Sequence, residues 1–145
     1  MKAIAHRIGQ FVVTAALGLS AFAASAQVAV IVNPKSATAS MTADQVSAIF
    51  LGKTSTLPSG ATAAPADQSE SAAIRETFYT KVTGKQSAQV KAAWSRLVFS
   101  GKGTPPKELA SSAEVKKFVA SNPDAIGYIE KSAVDASVKV VLSVD

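Results

Sequence analysis

Apolar residues fall into three patterns along this chain. The first is one long stretch from Phe11 to about Ala24, interrupted only by Thr14, Gly18 and Ser20. Lys2, His6 and Arg7 precede it, and the small-x-small triplet Ala24-Ser25-Ala26 follows. A basic start, an apolar run and such a triplet predict a secretory signal peptide over residues 1–26, cleaved after Ala26. A membrane anchor needs about 20 apolar residues to cross the hydrocarbon. This run is shorter and broken by polar residues, so no stable membrane insertion is expected. No cysteine follows it to take a lipid.

The second pattern is the short β-branched run. Val28–Val32 (VAVIV) ends at Asn33-Pro34, and Ala125–Glu130 (AIGYIE) and Ser137–Val144 (SVKVVLSV) follow late in the chain. All three read as strands.

The third pattern is the helical stripe behind a capping signal. Thr42-Ala43-Asp44-Gln45 opens a helix carrying Val46, Ile49 and Phe50, with Gly52 to end it. Asp67-Gln68-Ser69-Glu70 reads as a second capping box, before Ile74, Phe78 and Val82, with closure at Gly84. Ser87 opens a third helix with the stripe Val90, Trp94, Leu97 and Val98. Ser111-Ser112-Ala113-Glu114 opens a fourth, carrying Val115, Phe118 and Val119. Lys53–Ala66 reads as a loop with a short strand near Ala61–Ala64, and Lys102–Lys107 as a break. The order β-α-β-α-α-α-β-β separates strands by helices, which favours a small, mostly parallel sheet with helices on both faces.

Composition narrows the chemistry. Cleavage after Ala26 leaves 119 of the 145 residues, one domain over 27–145, with a net charge of +3 instead of +5. The basic residues are scattered rather than gathered with aromatics, so no nucleic-acid surface is expected. The chain has no cysteine, and its one histidine, His6, leaves with the signal peptide. Ser-His-Asp and Cys-His catalysis, and zinc sites built on His or Cys, are therefore excluded from residues 27–145. Neither a catalytic site nor a cofactor or metal site is expected.

Each candidate motif also has a plainer use. Ser100-Gly101-Lys102-Gly103-Thr104 lacks the spacing of a phosphate-binding loop, with Arg96 and Gly103 where glycine and Ser or Thr are needed. It reads as a helix C-terminus. Phe78, Trp94, Phe99 and Phe118 stand at or near core spacing and read as packing residues. Gly127, beside Tyr128, signals a bulge or a close backbone approach, and a ligand-facing edge. The strongest chemical case is Asp67–Arg75 (DQSESAAIR). At a helix start, free N–H groups would join the Ser69 and Ser71 hydroxyls and the fork of Arg75 around an oxyanion. The plainer reading is an N-cap and a solvent-facing arginine, and Glu70 places negative charge where the anion would sit.

Four pieces occur in a recognisable order: VAVIVNPKS, then T-x-x-Q-V-x-x-IFLGK over Thr42–Lys53, D-x-S-x-S-x-x-x-R-x-x-FY over Asp67–Tyr79, and NPDAIGYI over Asn122–Ile129. With Trp94 through Pro106 between the last two, the chain resembles the phosphate-type periplasmic substrate-binding proteins of ABC transporters. It more closely resembles their short relatives, the phosphate-binding-protein-like domain proteins. The resemblance implies an α/β fold, a single lobe of the type 2 periplasmic-binding-protein-like class. It also implies a non-enzymatic periplasmic protein that binds phosphate or a related oxyanion and meets an ABC permease or another periplasmic protein. The family's Arg-x-x-x-Ser-Gly-Thr element is represented by Ser69-Glu70-Ser71, with Glu70 in the glycine place and Pro65-Ala66-Asp67 where the arginine would lie. Ser69, Ser71 and Arg75 are then the ligand donors. A single lobe leaves the anion open to water, where each charge contact is worth little, so weak binding is expected. The alternative is an interaction module that kept the lobe as a scaffold and lost transport.

Overall fold

The computed structural model describes residues 27–145; the expected signal peptide lies outside them. Strand β1 is Val28–Val32, followed by α1 (Ala43–Phe50), β2 (Ala64–Gln68) and α2 (Ala73–Phe78). A wide π-helical turn, Tyr79–Thr83, continues α2. Then come α3 (Ser87–Phe99), β3 (Lys107–Leu109), α4 (Ser112–Ser121), β4 (Ala125–Glu130) and β5 (Lys139–Val144). The sheet order is β3-β2-β4-β1-β5. β2 runs parallel to both β3 and β4, while β1 is antiparallel to β4 and β5. All strands except β1 therefore point the same way, which is the mostly parallel α/β lobe expected.

β1 is apolar throughout because both of its faces are covered. Val28, Val30 and Val32 pack with Val46, Phe50, Ile74 and Phe78 beneath α1 and α2. Ala29 and Ile31 face the other way, against Val115 and Val119 of α4. A period of two thus sorts one strand between two cores. β4 repeats the division, with Ile126 and Tyr128 in the first core and Ala125 and Ile129 in the second.

The α1 capping box forms as expected: Gln45 N–H donates to Thr42 Oγ1 at 3.1 Å, and Thr42 N–H donates to Gln45 Oε1 at 2.9 Å. At α4 only half of the box forms. Ser111 Oγ accepts from Glu114 N–H, while the Glu114 carboxylate accepts from Ala110 N–H.

Three expectations are corrected. Asp67-Gln68-Ser69-Glu70 is not a capping box: Asp67 and Gln68 end β2, and α2 starts at Ala73 without a side-chain cap. The strand is fixed by parallel pairing with β3, a three-residue element with two charged residues that carries no strand signal of its own. The strand expected near Ala61–Ala64 is thereby displaced, leaving an isolated Thr56–Thr62 bridge before β2. Finally, Phe99 is 96% exposed and Val98 49% exposed, so the end of the α3 stripe lies outside the core.

Gly127 marks a close approach rather than a bulge. A Cβ there would stand 2.5 Å from Val115 Cγ1 of α4. Gly127→Ala should cost about 1–3 kcal/mol through overpacking. Urea denaturation would measure it, and an unchanged midpoint would show that α4 shifts freely on the sheet.

Candidate functional site

β2 carries Asp67 and Gln68 to its carboxyl end, where open α/β sheets place their ligand crevices. Asp67 is only 5% exposed. A buried carboxylate is costly unless its oxygens are satisfied. Here Oδ1 accepts from Gln68 N–H at 2.8 Å and from the Tyr128 hydroxyl of β4. Oδ2 accepts from the Tyr79 hydroxyl at 2.5 Å and lies 3.7 Å from the Arg75 guanidinium. Arg75 Nη1 also donates to the Gln68 carbonyl at 3.1 Å, and its Nε has no partner among the described residues. The Gln68 side chain extends the network, donating to the Tyr128 carbonyl and to Ser112 Oγ of α4.

Local structure explains how these groups meet. The π turn brings Tyr79 in at the end of α2, and Thr83 Oγ1 donates back to its carbonyl. Phe78 stacks on Tyr128 with ring centroids 4.0 Å apart and an interplanar angle of 6°. Burial, and then the Asp67 charge, push both tyrosine hydroxyls well above their ordinary range.

Of the expected donors, Ser69 and Ser71 come together. Their hydroxyls are 2.7 Å apart, and Ser71 N–H donates to Ser69 Oγ. They sit on the loop leading into α2, ahead of its first residue rather than within its first turn. Arg75 does not face solvent: it is 7% exposed and turned onto Asp67. It lines an open cleft of about 460 Å³ together with Glu70, Lys91, Trp94, Phe99 and Glu108. Glu70 is paired with Lys91 at 2.5 Å, and that hydrogen bond draws its carboxyl below the usual range. Neither serine lines this cleft.

Sequence reasoning missed Asp67, Gln68, Tyr79 and Tyr128 as a unit. The available signal was slight: the chain has two tyrosines, and both lie in segments already singled out.

No protein-family model matches the chain, and no curated protein matches it. Solved structures do. A protein assigned to the phosphate ABC transporter substrate-binding class, with bound phosphate, from Clostridium perfringens aligns with a TM-score of 0.66 at 23% identity, over 81% of this chain and 45% of that one. An ABC-type phosphate transport receptor from Vibrio cholerae gives 0.65 at 20% identity, over 81% and 47%. PstS from Borrelia burgdorferi gives 0.59 at 15% identity, over 80% and 47%. The chain spans less than half the length of each, and the likeness establishes the fold.

Both tyrosines of the chain lie in the Asp67 cluster, so ionisation should report its integrity. Below about pH 10 folded and unfolded chains both keep the hydroxyl protons; above it the unfolded chain ionises first, so stability falls as pH rises. Tyrosinate absorbance near 295 nm should therefore appear only together with loss of far-ultraviolet circular dichroism. A smooth titration near pH 10 in folded protein would contradict the cluster.

Proposed function

We propose that this chain is an exported, non-enzymatic solute-binding lobe of the phosphate-transport class, acting in the periplasm after cleavage behind Ala26. Its ligand is phosphate or a related oxyanion. Ser69 and Ser71 donate from the loop between β2 and α2, and Arg75 supplies positive charge from behind. The observation that carries this reading is the Ser69–Ser71 hydroxyl pair at the carboxyl end of a parallel strand, in a fold shared with phosphate receptors. Binding is weak. Asp67 already neutralises Arg75, and Glu70 lies between the two serines. An ABC permease or another periplasmic protein would take up or complete the loaded lobe.

A second reading is favoured by Phe99. A phenylalanine 96% exposed on the rim of a cleft walled by Trp94, Val98, Pro105 and Pro106 suits a protein-docking face. In that reading the lobe is a scaffold for a periplasmic partner.

One titration separates them. Phosphate added to the chain beginning at Gln27 should shift the amide resonances of Gln68–Arg75 saturably in the millimolar range, about the affinity that a few exposed charge contacts provide. Ser69→Ala with Ser71→Ala should weaken it at least about fivefold, while Phe99→Ser leaves it unchanged. No shift at millimolar phosphate removes the oxyanion reading and leaves the scaffold.

A further inference from the structure

A second groove, of about 690 Å³, lies beside the first and differs from it in charge. The Arg75 cleft is lined by the carboxylates of Asp67, Glu70 and Glu108 against two cations. Lys53, Lys102 and Lys107 line the second groove with the hydroxyls of Thr54, Ser55 and Thr104, and no carboxylate lines it. None of these lysines makes an ion pair among the described residues.

The groove is built by two Gly-Lys turns, one after each of α1 and α3. Gly52 has φ +76°, and a Cβ there would lie 2.7 Å from Leu97 and 2.9 Å from the Trp94 indole. In the second turn, Gly101-Lys102, the contact comes from the glycine after the lysine: a Cβ on Gly103 would lie 3.1 Å from the same indole. Trp94 Nε1 donates to the Phe50 carbonyl at 2.7 Å, which ties α3 to the end of α1. Both turns thus pack against one tryptophan, and their lysines line one concavity. Lys53 and Lys102 lie just past the C-caps of α1 and α3, Leu51 and Ser100. Lys107 is on β3, and its ammonium stands 5.0 Å from the Phe118 ring centroid. The groove therefore keeps surplus positive charge and a row of hydroxyl donors.

We propose that this groove is a binding site for a ligand carrying two or more linked phosphate groups. Its volume falls within the range of small-molecule sites and far exceeds the space one phosphate ion fills. Three separate ammonium groups suit charge spread along a chain better than a single point. The site is independent of the Ser69–Ser71 loop.

The sole tryptophan of the chain lines the groove, so its fluorescence supplies the readout. Titration at low ionic strength with sodium tripolyphosphate and, separately, with ADP distinguishes a condensed phosphate from a phosphate ester. Saturable binding of either one, weakened by added salt, is expected. Lys53→Gln with Lys102→Gln should weaken it about tenfold. Lys85→Gln with Lys117→Gln removes the same charge outside the groove and should change it less than about twofold. Ser69→Ala with Ser71→Ala should leave it unchanged, which keeps this result apart from phosphate binding at the loop. Equal losses in the two lysine pairs, equal binding of citrate, or binding of neither probe would overturn the proposal.

Discussion

The buried carboxylate of Asp67 is the constraint around which this lobe is organised. A charge that is only 5% exposed demands partners, and they range from the next residue to a tyrosine 61 residues away. Gln68 supplies a backbone N–H, Arg75 comes from α2, Tyr79 from the turn beyond it, and Tyr128 from β4. Satisfying one side chain therefore fixes where β2 ends, how α2 leaves it and how both sit against the centre of the sheet. Removing one partner from a buried charged network of this kind is costly, because it leaves the others unpaired.

The same constraint shapes what the site can bind. An arginine committed to an internal carboxylate offers less to an external anion than a free one would. The oxyanion reading therefore rests on the serine hydroxyls, with Arg75 contributing field more than contact. Three lysines without an ion pair among the described residues lie elsewhere, in the groove between the two Gly-Lys turns, which no carboxylate lines. Two neighbouring concavities thus differ in chemistry because the acidic side chains line only one of them.

Much of the fold was legible in the sequence, since local patterns determine local structure. VAVIV and AIGYIE carry enough β-branched and apolar character to be strands anywhere, and they are β1 and β4. The Thr42–Gln45 box is self-contained and forms as read. The misreading came where pairing outweighed local signal. Asp67-Gln68-Ser69-Glu70 has the letters of a capping box, yet pairing with β3 holds its first half in the sheet. β3 itself, Lys-Glu-Leu, is a strand only because β2 lies beside it. The candidate site suffered likewise. Ser69 and Ser71 were legible because they are adjacent, whereas no spacing rule joins Asp67 to a tyrosine 61 residues away.

The most direct test of this account is a double-mutant cycle between Asp67→Asn and Arg75→Gln, read by urea denaturation. If Arg75 is spent on holding Asp67, the two changes should be coupled by about 1–3 kcal/mol, with each single variant costing more than the second change adds. Strictly additive losses would mean that the two side chains act separately, and the buried carboxylate would no longer explain the architecture or the weak anion binding proposed above.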